Sequence, residues 1–235
     1  MSQTSAGGTI LTFDIGGSNL KATVLNPAGE RIQEYTKLPT PNPCTPENLV
    51  AGLVKLSGNF SGFSAVSVGF PGYVRNGVVR TAPNLGNHYW DGIPLADQLS
   101  EALGKPTRVV NDADLQGLGV VRGNGLEMVI TLGTGFGTAL LLDGRLLPHL
   151  EIGQHPVTKT KNYDQYVGDK ALLTHGEERW NLRMQKVVRL LKTTFNYDSL
   201  YIGGGNAKKL TFPLDANITV VSNKDGIRGG ARLWA

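Results

Sequence analysis

The sequence predicts an α/β protein built from two similar halves, and three observations carry that prediction. Short β-type apolar runs alternate with segments whose apolar residues recur at helical spacing, the order expected of sheets covered by helices. A pair of strands joined by a glycine-rich turn and followed by helical segments occurs near the start and again near residue 130, without a literal repeat between the two. The chain also holds 31 glycines in 235 residues, ~13% against a usual ~7%. They fall in tight clusters between apolar runs, where backbone must turn sharply or approach a ligand closely.

The elements follow in order. Thr9 to Phe13 and Lys21 to Leu25 read as strands joined by Asp14-Ile15-Gly16-Gly17-Ser18-Asn19. Pro39 to Pro46 is a proline-rich loop, and Thr45-Pro46 then starts a helix whose apolar face is Leu49, Val50, Leu53 and Val54. Ala65 to Phe70 is a buried strand ending at Pro71-Gly72; Pro94 to Leu103 is helical, Thr107 to Val110 a strand, and Asp112 to Val121 a helix. Met128 to Leu132 and Ala139 to Leu142 are strands around Gly133-Thr134-Gly135-Phe136-Gly137. Glu178 to Phe195 is the clearest helix, with Trp180, Met184, Val187, Val188, Leu191 and Phe195 on one stripe. Leu200 to Ile202 runs into Gly203-Gly204-Gly205, Ile218 to Val221 is the last strand, and a helix starts at Asp225. The expected division is a smaller N-terminal lobe over 1–110 and a larger one over 111–223, with the helix 224–235 joined to the first.

Composition excludes several function classes. With 40% hydrophobic and 18% charged residues at a net charge of +4, the chain is neither apolar-poor nor highly charged, as disordered chains are. No apolar run approaches the roughly 20 residues that span a bilayer, and Met1 to Thr9 lacks a secretory pattern, so a cytoplasmic protein without membrane partners is expected. Cys44 is the single cysteine and can form neither an internal disulfide nor a zinc cluster. His88, His149, His155 and His175 show no metal-ligand spacing, so no zinc site is expected. Arg183, Lys186, Arg189 and Lys192 lie off the apolar stripe of the long helix and read as a solvated face. Denser basic clusters with interleaved aromatics would be needed for nucleic acid, so no nucleic-acid partner is expected.

The glycine clusters Asp14 to Ser18, Thr131 to Gly137 and Gly203 to Gly205 form neither a Walker A loop nor a Rossmann fingerprint. Each alone reads as a tight hairpin turn in which glycine supplies positive φ. Three together, one with a carboxylate and two with hydroxyls, favour backbone N–H groups that cradle phosphate. Asn111-Asp112-Ala113-Asp114 follows a strand and opens a helix. Those residues suit a helix start, and they equally place a carboxylate where α/β sheets bind ligands. Asp112 is the candidate base and Asp114 the helix-start residue. Glu151-Ile152-Gly153-Gln154-His155 offers groups for sugar hydroxyls or a metal, although alone it reads as a surface loop. No G-x-S-x-G elbow supports serine hydrolysis.

Taken in order, Phe13-Asp14-Ile15-Gly16-Gly17-Ser18, Gly69-Phe70-Pro71-Gly72, Asn111-Asp112-Ala113-Asp114 and Leu132 to Gly137 resemble the motif set of the ROK sugar kinases, with Gly203-Gly204-Gly205 similar to their late nucleotide segment. Gly77 to Leu85 and Trp90 are similar to the polyphosphate glucokinases of that family, and the resemblance spans about residues 10 to 233. It implies an actin-like, ribonuclease H-like fold of two α/β lobes, with sugar and phosphoryl donor bound between them. It implies transfer to the 6-hydroxyl of a hexose, glucose first, from ATP or polyphosphate with Mg²⁺. Asp112 then resembles the catalytic base; Asn84, Asn111, Glu151, Gln154 and His155 resemble sugar ligands. Asp14 would organise Mg²⁺ through water, Gly16, Gly17, Ser18, Thr134 and Gly135 would hold donor phosphates, and Gly204 and Gly205 would face a nucleotide. A homodimer is a further expectation of the resemblance.

The chain departs from the family pattern in three places. Gln154 stands where the family has histidine, Lys159 to Asp169 replaces a cysteine-rich zinc motif, and only Asp169 is available for a later acidic sugar ligand. Alternatives kept beside this reading are a kinase for another hexose or an N-acetylhexosamine, and a catalytically silent sugar-binding relative. A repressor would need a helix-turn-helix, and about nine residues precede the first strand, too few for two helices.

Overall fold

The computed structural model describes residues 8–222 and 226–235; the expected helix start at Asp225 lies outside them. Its contacts divide the chain into two compact units. One holds the residues up to Gly119 together with Gly226–Ala235, and the other runs from Val120 to Asp225.

The first unit is a sheet of order β3-β2-β1-β4-β7. Strands β1 (Thr9–Ile15) and β2 (Asn19–Leu25) form the expected hairpin, and β3 (Thr36–Pro39) extends it antiparallel. Strands β4 (Phe63–Phe70) and β7 (Thr107–Asn111) then add in parallel to β1. Thr45 caps helix α1 (Pro46–Ser57) by accepting from the Asn48 N–H, and Pro46 occupies the first turn, where its missing N–H costs nothing. A two-stranded hairpin, β5 (Val74–Arg75) and β6 (Val78–Val79), precedes α2 (Leu95–Leu103), and α3 (Asp112–Val120) follows β7 directly. In the core, Phe13, Leu53, Val68, Phe70 and Trp90 are buried. The Trp90 ring lies 4.8 Å from Phe70, and its Nε1–H donates to the Cys44 carbonyl at 3.0 Å.

The C-terminal segment completes this unit. Helix α6 (Gly229–Arg232) packs so closely that a Cβ on Gly229 would fall 1.8 Å from the Leu115 carbonyl oxygen of α3. Trp234 Nε1–H donates to Ser67 Oγ at 2.9 Å, Ser67 Oγ–H donates to the Gly230 carbonyl at 2.7 Å, and the Arg108 guanidinium lies 4.2 Å over the Trp234 ring.

The second unit has the same connectivity in its own sheet, of order β10-β9-β8-β11-β12. Strands β8 (Leu126–Leu132), β9 (Phe136–Leu142) and β10 (Arg145–Leu146) form the antiparallel meander, and β11 (Ser199–Gly203) and β12 (Ile218–Val220) add in parallel. Between them run a short α4 (Tyr163–Val167) and the long α5 (Asp169–Phe195). The sequence reading starts the long helix at Glu178. The structure begins it at Asp169 and breaks it at Gly176, whose φ of +76° is open to glycine and strained for other residues. The stripe residues Trp180, Met184, Val187, Val188 and Leu191 are buried, and Trp180 Nε1–H donates to the Val167 carbonyl at 2.7 Å. Off that stripe, Arg183 and Lys186 lie over the Tyr166 ring and Lys192 pairs with Asp215, so these three basic residues serve packing and solvation. The Glu127 carboxylate is buried at 1% exposure and fully engaged, accepting from the N–H groups of Arg122, Gly123 and Asn124 and from the Tyr201 hydroxyl. Among the described residues, no helix is long and apolar enough to cross a membrane.

Two outcomes follow from this packing. Gly229→Ala has no room against α3 and should cost about 1–3 kcal/mol, read as a lowered urea midpoint at unchanged slope. Burial pushes the Cys44 thiol up to about 11, so at pH 8 it stays protonated and should react with an aromatic disulfide reagent only after unfolding. Fast labelling of the native protein would contradict that environment.

Candidate functional site

The parallel strands of the first unit bring several chemically useful groups to one edge. Asp14 pairs across β1 and β4 with Gly69, and Gly69 pairs with Val110 on β7. Asp14, Gly69 and Val110 therefore form one row at the carboxyl ends of three parallel strands, about 5 Å apart per strand, with Asn111 and Asp112 just beyond. This is where open α/β sheets present ligands to their loops.

Local chemistry fixes each group in that row. The Asn111 side chain caps α3, its Oδ1 accepting from the N–H groups of Ala113 at 2.8 Å and Asp114 at 3.4 Å, while its Nδ2 donates to the Gly72 carbonyl at 3.0 Å. One amide hydrogen of Asn111 remains. Asp112 sits in the first turn of the helix, partly exposed, with Oδ1 accepting from the Ala113 N–H at 2.9 Å. A Cβ on Gly69 would lie 2.9 Å from Leu115 Cδ2 and 3.3 Å from the Asp112 Cα, so glycine lets the helix start sit closely on the strand end without displacing Leu115. Asp114, read from sequence as a helix-start residue, is buried in the same turn.

The hairpin beside this row closes tightly. The Gly16 N–H donates to the Asn19 carbonyl at 3.0 Å, and Thr40 ties the turn from just beyond β3, with its hydroxyl on the Gly16 carbonyl at 2.6 Å. Gly17 and Ser18 are exposed at the tip, with open space around Gly17. Asp14 carries a cation that the sequence reading passed over: Lys21 Nζ lies 3.1 Å from its Oδ2, as their cross-strand pairing dictates. The Asp14 charge and burial together push the nearby Tyr35 hydroxyl up from its ordinary value, burial being the larger cause. Asn84 is exposed in the loop after β6, a loop that Asn87 closes by accepting from the Ala82 N–H at 2.7 Å.

In the second unit, three predicted segments meet at one residue that the sequence reading missed. Asp164 in α4 accepts from the Phe136 N–H at 2.7 Å and from Gln154 Nε2 at 2.6 Å. A Cβ on Gly135 would lie 3.0 Å, and one on Gly153 2.7 Å, from its Oδ1. Burial raises the Asp164 carboxyl from its ordinary value; the two donors oppose the rise and the Glu151 charge adds to it. Gln154 Oε1 in turn accepts from Asn162 Nδ2 at 3.1 Å, and Asn162 forms a reciprocal capping box with Gln165. The segment 159–169 is thus held by amides and one carboxylate. Gln154 keeps one amide hydrogen and one lone pair, His155 is exposed, and Glu151 Oε1 lies 3.4 Å from His149 Nε2.

The second and third glycine clusters are packed together as well. A Cβ on Gly204, at φ +90°, would strike the Leu132 backbone at 2.2 Å. Asn206 donates from its N–H to the Leu132 carbonyl at 3.0 Å and from Nδ2 to Asp169 Oδ1, while the Asp169 N–H donates to the Gly133 carbonyl at 2.9 Å. Thr134 and Gly205 stay exposed. Gly204 therefore serves close packing, and Gly205 has the open surface.

Among the described residues, no group of three or more His, Cys, Asp or Glu side chains could hold a metal ion. Asp14, a single carboxylate already facing Lys21, suits a Mg²⁺ ion carried largely by water and donor phosphates, the usual mode for that ion.

The geometry can be set beside known proteins. A model of the ROK family matches residues 10–155. A polyphosphate glucokinase from Mycobacterium tuberculosis is 30% identical over 93% of this chain and 88% of its own length, and one from Mycobacterium leprae is 31% identical over 93% and 72%. Among solved structures, an inorganic polyphosphate/ATP-glucomannokinase from Arthrobacter superposes with TM-score 0.86 at 28% identity, covering 96% of this chain and 98% of that one. A ROK family glucokinase from Streptomyces griseus, in complex with glucose and AMPPNP, gives 0.75 at 21% identity over 96% and 99%. The fold is the actin-like α/β fold.

The Asn111 arrangement generates its own expectation. Asn111→Ala should lower stability by about 2 kcal/mol, a lost cap plus an orphaned Gly72 carbonyl. Asn111→Asp keeps the cap but sets a carboxylate oxygen against the Gly72 carbonyl in a buried place, so it should also lower the urea midpoint.

Proposed function

We propose that this chain, which belongs to the ROK family, is a hexose kinase that phosphorylates the 6-hydroxyl of glucose from polyphosphate or ATP. That it is a sugar kinase, a phosphotransferase with an alcohol acceptor, follows from family and relatives together. The observation that supports the finer reading is the Asp14–Gly69–Val110 row, which leads directly into Asp112 at the head of α3.

In this reading the Asp112 carboxylate takes the proton of the 6-hydroxyl as its oxygen attacks the terminal phosphorus, and the bond to the remaining donor breaks with ADP or a shortened polyphosphate leaving. An Asp of ordinary basicity is enough, because phosphoryl transfer rests on positioning and charge neutralisation. Asn111 uses its remaining amide hydrogen on a sugar oxygen, and Asn84, Glu151, Gln154 and His155 supply further hydroxyl partners. Backbone N–H groups of Gly17, Ser18, Thr134 and Gly135 hold donor phosphates, Gly16 shapes the turn because its own N–H is spent on the Asn19 carbonyl, and Gly205, beside the tightly packed Gly204, leaves room for a nucleotide. Bound Mg²⁺ would neutralise phosphate charge, with Asp14 orienting its water and Lys21 adding a fixed positive charge beside it.

A coupled assay for glucose 6-phosphate, with Mg²⁺ and either polyphosphate or ATP, tests this. Asp112→Asn should lose about 10²–10⁴-fold in kcat while keeping its circular dichroism spectrum and thermal midpoint. Retention of most activity in that variant would remove Asp112 from the role of base. A panel of mannose, fructose and N-acetylhexosamines run beside glucose should show glucose with the highest kcat/KM.

A further inference from the structure

We propose that Asp164 is a positioning residue of this kinase, one half-buried carboxylate that ties the Gly133–Gly137 loop to the Glu151–His155 segment. The inference rests on the kinase reading above, in which the first of these carries donor-phosphate N–H groups and the second carries sugar partners.

Asp164 stands in the first turn of α4, where an acidic residue ordinarily favours its own helix. Its side chain does something else. The helix is already capped by Asn162 and Gln165, and Asp164 turns to the Phe136 N–H and the Gln154 amide, which belong to the two segments in question. Glycines at 135 and 153 make the approach possible from both sides, since a Cβ at either would press on Oδ1. Gly153 is doubly constrained, because its Cβ would also meet the Phe136 carbonyl at 2.7 Å. Below the loop, a Cβ on Gly168 would strike the Thr134 and Asp164 carbonyls, each at 2.6 Å, so the end of α4 is pressed against the loop as well.

The bonds also run with a fixed polarity. Asn162 Oδ1 must accept from the Gln165 N–H to cap the helix, so its Nδ2 donates to Gln154 Oε1; Gln154 Nε2 then donates outward, and Asp164 must accept. The acceptor at the end of this relay is the same group that holds Phe136. Asp164→Asn sets donor against donor, and flipping the Gln154 amide only moves the clash to Asn162. Gln154→Glu sets two carboxylates face to face. The double variant Gln154→Glu/Asp164→Asn restores an acceptor at position 154 for both neighbouring amides, and the new amide at position 164 keeps its oxygen for the Phe136 N–H.

The four proteins, wild type, both single variants and the double, would be compared in steady-state kinetics and in backbone hydrogen exchange. Both single variants should raise KM for donor and for glucose by about tenfold, a displacement well short of what misplacing a reacting group costs. They should also accelerate exchange over residues 133–137 by about tenfold, as expected when one hydrogen bond to a charged, half-buried group is lost. The double variant should return the donor KM and the exchange over 133–137 to within about threefold of wild type; its glucose KM is not the readout, because residue 154 also meets the sugar. Unchanged KM values in Asp164→Asn, a fall in thermal midpoint without a change in KM, or a double variant no better than the singles would overturn the proposal. If wild type turns over no sugar, the kinase reading falls, and exchange over 133–137 alone decides whether Asp164 clamps the loop.

Discussion

Backbone lying directly on backbone at the carboxyl ends of the central strands is the constraint on which the rest of this protein depends. At Gly69, Gly153, Gly168 and Gly204 an added Cβ would meet a backbone atom, a carboxylate or a tightly packed side chain at about 3 Å or less. Each contact lowers a loop or helix start onto a strand end by an amount no side chain would allow. The groups of interest follow from that descent: Asp112 from the seating of α3 on Gly69, and the 133–137 loop from Gly153 and Gly168 closing around it. At these four positions glycine is therefore a consequence of thickness, because layers this thin leave no volume for side chains.

The sheet hairpins, the cap at Thr45, the helix after Asn111 and the stripe on α5 were legible because each depends on neighbours in sequence. Hydrophobic period and capping chemistry are local, and β1, β2, α1 and α3 came out within one to two residues of where they were expected. What escaped depends on partners far along the chain. Strand β3 is four residues with no buried side chain, held by pairing with β2, and β5 and β6 are two residues each. The segment Asp169 to His175 was hidden because Gly176 interrupts the period, although the helix continues on both sides.

Candidate residues divide the same way. Asp14, Asn111, Asp112 and the glycine clusters carried a signal in their immediate surroundings. Asp164 carried none, since an acidic residue in a first helical turn is commonplace and its partners are 28 and 10 residues away. Asn162-Tyr163-Asp164-Gln165 does hold a capping pair at the right spacing, but that pair marks a helix start and not the partners of Asp164. Gln154 stands where the family has histidine and, compared position by position, reads as a sugar ligand. Its amide has two polar ends of opposite sense, and both are engaged within the unit, something a residue-by-residue comparison does not register.

The seating of the C-terminal segment has a consequence for how the protein is made. Ser67 and Arg108 find partners in residues 229–234 and Leu115 is covered by Gly229, and that segment leaves the ribosome after every residue of the second unit. The second unit is continuous in sequence and carries its own core, so it can close as soon as it emerges. The first, although its strands are synthesised earliest, must wait as a sheet with an open face over Ser67 and Thr12 until that tail arrives. Order of synthesis and order of completion are thus inverted in this chain: the unit begun first is the one finished last.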